Sequence, residues 1–100
     1  MNIETKKNGN EVTILPVGRL DSNTASQLEA EINANLDGTE NLILDFDGLE
    51  YLSSAGLRVL LYAHKTFLSK GHGKMVVRHV NEVIHDVFEI TGFLNILNIE

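Results

Sequence analysis

The sequence predicts an α/β fold with a mixed, mostly parallel sheet. Two observations lead to this class: the turn-forming dipeptide Asn8-Gly9 joins two N-terminal strands into a hairpin, and strands alternate with helices after it. Such alternation implies right-handed crossovers, which make the connected strands parallel. With 100 residues and 43% apolar content the chain can bury one core, so we expect a single domain over residues 1–100.

The predicted strands are short extended runs between turn residues. They lie at residues 3–7, 12–17, 42–46 and 75–78, with a last short strand at 96–99. Pro16 cannot donate a backbone hydrogen bond, so we expect the second strand to end, bulge or lie unpaired there. The run at 42–46 is apolar nearly throughout, which is typical of a strand covered on both faces.

Three segments have apolar residues at helical spacing, and they predict helices at 22–36, at 54–70 and from about Asn81 to Gly92. Ser22, Asn23 or Thr24 can cap the first helix, and Thr24 and Gln27 have the spacing of a capping box. The stripes predicted to be buried are Ala25, Leu28, Ile32 and Leu36 in the first helix, Leu57, Leu60, Leu61, His64, Phe67 and Leu68 in the second, and Val83, Ile84, Val87 and Phe88 in the third.

Charge and composition exclude several classes of protein. The net charge of -6, with only eight scattered basic residues, argues against a nucleic-acid surface and against direct contact with an anionic membrane. The first ten residues lack the apolar core of a signal peptide, and no run approaches the ~20 apolar residues that span a bilayer. Cysteine is absent, which fits a reducing compartment. We therefore expect a soluble cytoplasmic protein.

Signatures of catalysis and of metal binding are missing from the sequence. Neither serine of the pair Ser53-Ser54 lies in a Gly-x-Ser-x-Gly motif, and residues 71–74 lack the spacing of a phosphate-binding loop. The four histidines fall on different elements, and none pairs with another on one helix face. They are His64, His72, His79 and His85. We therefore expect no metal and no cofactor, and His64 is expected to be a hydrogen-bonded core or boundary residue.

The junction before the second helix carries two adjacent hydroxyls. The strand at 42–46 leads through a turn containing Ser53 and Ser54 into the amphipathic helix. The first N–H groups of a helix lack intrahelical partners and the helix dipole is positive there, so such a site favours an anion such as phosphate. From the residues alone, Ser54 is either a simple helix cap or a phosphorylation site. For Ser53 the cap or turn is the better interpretation.

Three aspartates end strands and can gather at one end of a parallel sheet, where ligand sites form in such folds. They are Asp21, Asp45 and Asp47. The alternative is that they form turns and caps, which is favoured for Asp47 because Gly48 follows it. For Asp21 both interpretations stay open.

Two segments together resemble the STAS domain of bacterial anti-sigma factor antagonists: Gly18-Arg-Leu-Asp-Ser-Asn-Thr-Ala25 and Tyr51-Leu-Ser-Ser-Ala-Gly-Leu57. The resemblance covers nearly the whole chain and implies a four- or five-stranded mixed sheet with helices mainly on one face. It also implies a function without catalysis. The unphosphorylated antagonist binds an anti-sigma factor that is also a serine kinase, which frees a sigma factor and so regulates transcription indirectly. The kinase phosphorylates the antagonist, and a metal-dependent serine phosphatase reverses this.

The resemblance assigns the phosphorylation to Ser54, two positions before the motif glycine. Asp21 matches the acidic residue that the family has in the loop before the first helix. No histidine lies in either motif, so Ser54 lacks a positioned base and we expect no enzymatic activity. The surface that the resemblance assigns to partner binding and switching comprises Asp21, Ser22, Ser53, Ser54, Ala55, Gly56 and Arg58.

The sequence departs from the family pattern at Ser53, where an aspartate is common. The change removes a negative charge beside the acceptor and keeps an alternative open: a STAS interaction module of a transporter or sensor complex that is not phosphorylated. Many relatives also carry another helix after the last strand, whereas this sequence stops at Glu100. The oligomeric state is therefore left open.

Overall fold

The computed structural model describes residues 1–71 and 73–100, so the expectation for His72 lies outside the described residues. Within these ranges there are six strands and three α-helices, and a short 3-10 helix at Phe93–Asn95. The chain order is β1 (Asn2–Asn8), β2 (Glu11–Leu20), α1 (Ala25–Ala34), β3 (Asn41–Asp45), β4 (Leu49–Leu52), α2 (Ser54–Ser69), β5 (Lys74–Arg78), α3 (Glu82–Thr91) and β6 (Asn98–Ile99).

The sheet is mixed and mostly parallel, as predicted. The strands lie in the order β1-β2-β3-β5-β6, and β4 pairs with β2. β1 and β2 form the antiparallel hairpin, with Gly9 and Asn10 between their paired ends, and the other pairings are parallel. The described sheet has six strands rather than the four or five that the family resemblance implied.

The strand that the sequence did not predict is β4, which occupies what was expected to be a turn before α2. Its position follows from the length of β2, which has 10 residues. β3 pairs with β2 only from Glu11 to Ile14, and β4 pairs with β2 from Gly18 to Leu20. Pro16 lies between these two segments and pairs only with Ile3 of β1, so its missing N–H breaks neither parallel ladder. β2 neither ends nor bulges at Pro16, because it continues through this residue in its pairing with β1, and the β2–β4 register shifts only after Gly18.

The core lies between one face of the sheet and the helices. Successive residues of a strand point to opposite faces, and the core cluster takes alternate residues from the central strands. These are Val12, Ile14, Leu42, Leu44, Met75 and Val77. Ile43 and Val76 are buried but lie outside that cluster. All three helices contribute their buried side chains to it, which confirms that they pack mainly on one face.

Several helix boundaries and faces differ from the sequence prediction. α1 begins at Ala25 rather than Ser22, because residues 21–24 form a hydrogen-bonded turn, and it ends at Ala34 rather than Leu36. Leu68 and Val83 were predicted to be buried but are 67% and 60% exposed, since each lies at the margin of its helix's apolar stripe. His64 is buried on α2, as expected. No described helix combines the length and the apolar character needed to cross a bilayer.

Candidate functional site

The ends of β2 and β4 lie side by side, and this brings two loops together. Leu20 of β2 pairs with Leu52 of β4, and the N–H of Ser53 donates to the carbonyl oxygen of Leu20 at 2.9 Å. The residue after Leu20 is Asp21, and Ser54 follows Ser53. The two motifs found in the sequence are therefore neighbours in space, because β4, which precedes Ser53, pairs with the end of β2, which precedes Asp21.

Ser53 is the N-cap of α2. Its backbone is extended (φ -97, ψ 176), its hydroxyl accepts from the N–H of Gly56 at 3.5 Å, and its carbonyl accepts from the N–H of Leu57 at 3.0 Å. The capping role preferred for Ser53 is thus confirmed, although the 3.5 Å hydroxyl contact is longer than a strong hydrogen bond. Ser54 is consequently the first helical residue and does not cap the helix.

Ser54 is exposed. Among the described residues its hydroxyl has no hydrogen-bond partner. The first turn of α2 also contains no acidic residue. Because the N–H groups and the dipole at a helix start favour negative charge, this end of α2 presents an accessible hydroxyl in a positive local field.

Gly56 lets α2 begin directly on the core. A Cβ at this position would lie 2.6 Å from Cδ1 of Leu52 and 2.8 Å from Cγ of Leu20, which is closer than side-chain carbons approach one another. Both leucines are buried and come from the two strands that end at the site. The glycine therefore fixes the position of the helix start, and with it the position of Ser54.

The half-buried Asp21 organises the loop after β2. Its Oδ1 accepts from the N–H of Asn23 at 2.9 Å and from the N–H of Thr24 at 3.2 Å. These bonds, led by the one from Asn23 and helped by the charge of Arg19, hold the pKa of Asp21 below its ordinary value. Asp21 is thus an ionised turn residue. It directly follows Leu20, whose carbonyl oxygen accepts a hydrogen bond from the N–H of Ser53.

Thr24 occupies the N-cap position of α1, one of the three caps expected, but its side chain forms no capping hydrogen bond, so the capping box expected with Gln27 is wrong. The Thr24 hydroxyl donates instead to the carbonyl of Arg19 at 2.7 Å and accepts from the N–H of Asp21 at 2.9 Å. A side chain engaged with the preceding strand cannot also satisfy the helix start. The loop after β2 is held to the end of that strand by these contacts.

The remaining predicted site residues lie in the loop after β2 and in the first two turns of α2. Ser22 and Arg58 are exposed, and Ala55 is half-buried. The charged residues of α2 are Arg58 and Lys65, and the helix has no Asp or Glu, although the whole chain has a net charge of -6. The only charged Lys, Arg, Asp or Glu side chains on α2 itself are therefore positive, while the ionised Asp21 lies in the neighbouring loop after β2.

Sequence reasoning missed the surface beside the loop after β2. The guanidinium of Arg19 lies 4.1 Å from the ring centre of Tyr51, which is 37% exposed. Val17 is 45% exposed, and it lines a shallow groove of about 540 Å³ together with Gly18, Arg19 and Asp21. The burial pattern of β4 is buried, exposed, exposed, buried, so no simple sequence alternation signals the outward position of Tyr51, which follows from the pairing of β4 with β2.

Asp45 is engaged elsewhere, in a structural contact. Its Oδ1 lies 2.9 Å from Nδ1 of His79 and accepts from the N–H of Asp47 at 3.0 Å. Burial acts to raise the pKa of Asp45, but the bonds from His79 and Asp47 outweigh it, and the net pKa lies below the ordinary value. The turn interpretation for Asp47 is thus supported. His79 has a left-handed backbone (φ 60), which is uncommon for a residue with a side chain.

Within the described part of the chain, one group of side chains can bring three ligand atoms within 4.8 Å of one another: His85, Asp86 and Glu89. All three are exposed and lie on α3, away from the residues of the two motifs. Exposed carboxylates on a helix are common without a metal, so the expectation that this protein binds none stays a prediction.

Comparison with known proteins identifies a family and several similar proteins. The STAS domain family model matches residues 2–100. BtrV of Bordetella bronchiseptica, which bears the name of an anti-sigma factor antagonist, is 44% identical over 80 residues, which are 79% of this chain and 68% of BtrV. An anti-sigma factor antagonist from Mycobacterium paratuberculosis superposes with a TM-score of 0.87 at 22% identity, over 98% of this chain and 83% of that one.

SpoIIAA of Bacillus, solved in its phosphorylated form, superposes with a TM-score of 0.77 at 18% identity, over 99% of this chain and 91% of SpoIIAA. At such low identities the two solved structures support the fold alone. The family model and BtrV add the sequence evidence, and the family model extends over the two motifs that meet at the start of α2. The chain belongs to the STAS domain family.

Proposed function

We propose that this protein is an anti-sigma factor antagonist whose binding is switched off by phosphorylation of Ser54. In the unphosphorylated form it binds an anti-sigma factor that is also a serine kinase, and a serine phosphatase restores that form. The observation that carries the proposal is the exposed Ser54 hydroxyl at the first helical position of α2, in a first turn without acidic residues. The proposal assigns the chain no catalytic role of its own.

The names of the relatives support the partner. BtrV bears the name of an anti-sigma factor antagonist, and a relative from Paenibacillus polymyxa, named an anti-sigma F factor antagonist, is 29% identical over 84 residues. SpoIIAA has been solved in both its unphosphorylated and phosphorylated forms. By analogy, the partner of this chain is an anti-sigma factor, and the regulated step is a phosphorylation that the fold tolerates.

The local physics explains why the fold tolerates a phosphate. Phosphorylation adds about -1.5 to -2 charges and three acceptor oxygens. At the start of α2 these oxygens meet a positive helix terminus and backbone N–H groups, so the charge is stabilised within the domain. Because Ser54 is exposed, the phosphate also extends into solvent without displacing the core contacts of Gly56.

The same charge opposes a partner that covers this surface. A protein packed over Ser54 has to remove water from the phosphate while the ionised Asp21 lies beside it, and one mismatched buried charge costs several kcal/mol. Each ~1.4 kcal/mol is tenfold in affinity, so about 3 kcal/mol is enough to weaken binding a hundredfold. One modification thereby controls the whole interface.

The direct test is to incubate the protein with its cognate anti-sigma factor kinase and ATP, and to measure the intact mass. The proposal requires the addition of one phosphate, which Ser54→Ala abolishes. Ser53→Ala is the matched control, because it removes the neighbouring hydroxyl and leaves the acceptor. It is expected to retain phosphorylation.

Binding is measured in parallel by calorimetry with the kinase in its ADP-bound state. The unphosphorylated protein and Ser54→Ala are expected to bind, whereas Ser54→Asp and the phosphorylated protein bind at least tenfold more weakly. An unmodified mass together with an absence of kinase binding would contradict the proposal. That result would favour an interaction module of a transporter or sensor complex that is not phosphorylated, for which the neutral Ser53 beside the acceptor is the supporting feature.

A further inference from the structure

We propose that Arg58 is the intramolecular partner of a phosphate on Ser54, so that phosphorylation both adds negative charge and withdraws a positive side chain from the binding surface. This inference rests on the proposed function, because it concerns the regulation of the same site. It assigns Arg58 a role within the phosphorylated protein in addition to any contact with a partner.

The spacing of the two residues places them on one face of α2. Ser54 is the first residue of the helix and Arg58 lies four residues later, and both are exposed. Residues at positions i and i+4 of a helix are neighbours, with their Cβ atoms about 5–6 Å apart. A guanidinium on a long side chain spans that distance easily and can donate two parallel hydrogen bonds to phosphate oxygens.

Arg58 is available for this role. In the described part of the chain its guanidinium takes part in neither of the two ion pairs, Arg78–Glu100 and His79–Asp45, nor in a stacking contact such as that of Arg19 on Tyr51. A cation is unfavourable one turn from the positive start of a helix, and α2 has no carboxylate to offset it. A phosphate on Ser54 supplies the missing opposite charge.

The other charged groups on elements next to the start of α2 are Arg19 of β2, Asp21 of the following loop and Glu50 of β4. All three are unchanged in the variants proposed below, so their effects on the phosphate cancel in the comparison. Lys65 is the matched control, because it is exposed on the same helix with the same sign of charge. At a rise of 1.5 Å per residue, its eleven-residue separation puts it roughly 16 Å from Ser54, beyond the screening length of ~10 Å at 0.1 M salt.

The experiment is a pH titration by ³¹P NMR of protein carrying phosphoserine at position 54, installed during translation so that no kinase is needed. The second pKa of a serine phosphate is about 6, and a neighbouring guanidinium lowers it by about half a unit. Arg58→Ala is therefore expected to raise that pKa by about half a unit, Arg58→Lys to keep most of the lowering, and Lys65→Ala to leave it unchanged. Circular dichroism confirms that each variant is folded.

Equal titration curves for the parent and Arg58→Ala would overturn the inference, as would a shift of the same size in Lys65→Ala. Neither result bears on whether the kinase modifies Ser54. Conversely, a failure of the kinase to modify Ser54 would contradict the proposed function but would not change the titration result, because the phosphoserine is installed during translation. Failure of the inference and failure of the proposed function are therefore distinguishable.

Discussion

The starts of α2 and α3 differ in how their free backbone N–H groups are capped and in whether a negative charge lies near the positive end of the helix dipole. At α3, Asn81 accepts from the N–H of Ile84 at 2.9 Å, and its amide nitrogen donates to the carbonyl of Leu49 at 2.9 Å. Glu82 adds a negative charge in the first turn. At α2 the cap contact of Ser53 is 3.5 Å long and no acidic residue follows.

Because of this difference, the two helix starts are expected to respond differently to an added negative charge. The start of α3 has both a polar cap and a compensating charge, so an added anion has little to gain there. The start of α2 is fixed mainly by packing, through Gly56 against Leu20 and Leu52, and its first turn carries no acidic residue. A helix start held by apolar contacts can accept or lose a charge while its position stays the same.

The largest expected effect comes from breaking the packing at α2. Gly56→Val places methyl groups where a Cβ alone already lies 2.6 Å from Leu52, so we expect a loss of about 3 kcal/mol in the free energy of unfolding. Urea denaturation measures it. The control is Gly48→Ala, whose Cβ would meet only the exposed side chain of Val17 at 3.0 Å, which can move aside. An equal midpoint for Gly56→Val and the parent would contradict the packing argument.

The two caps are compared by removing each in turn. Asn81→Ala loses the cap of α3 and the bond to Leu49, and we expect a cost of about 2 kcal/mol. Ser53→Ala loses only a 3.5 Å contact, and a cost of about 0.5 kcal/mol is expected. Both values come from the same urea denaturation. If Ser53→Ala cost as much as Asn81→Ala, the start of α2 would depend on its cap after all.

The first turn of α3 contains an acidic residue and that of α2 does not, so two substitutions are expected to change the free energy of unfolding in opposite directions. Ser54→Asp supplies the negative charge that α2 lacks and is expected to stabilise the fold by about 0.5 kcal/mol, whereas Glu82→Gln removes that of α3 and destabilises by a similar amount. Thermal denaturation at low salt and at 1 M NaCl measures both, and the high salt should shrink both effects. Destabilisation by Ser54→Asp would show that the start of α2 does not favour an anion.

Much of the fold followed from local patterns. The hairpin at Gly9, the alternation of strands and helices and the end of α3 before Gly92 all depend on neighbouring residues, and the sequence predicted them. The cap at Ser53 is similarly local. These features are set by backbone conformation and by hydrogen bonds within a few residues, which a sequence pattern records directly.

What the sequence did not reveal depends on distant partners. β4 has four residues with two exposed ones in its middle, too short for a period, and it forms because Gly18–Leu20 of β2 extends beyond β3. α1 begins three residues later than predicted because Asp21 accepts hydrogen bonds from the N–H groups of Asn23 and Thr24 and so stabilises a turn before the helix. The outward position of Tyr51 follows only from β4 and its pairing with β2.

The smallest expected effect is a pH dependence from Asp21. Its pKa is lower in the folded protein than the ordinary 3.8, mainly because of the N–H of Asn23, so the ionised form stabilises the fold above that value. As the pH falls through the lowered pKa, Asp21 becomes protonated in the folded as well as in the unfolded protein, and its contribution to the free energy of unfolding disappears. Asp21→Asn is therefore expected to lower the urea midpoint slightly at pH 7 and to leave it unchanged near pH 2. A difference that persists at the acidic end would mean that the charge of Asp21 is not what holds the loop beside Ser53.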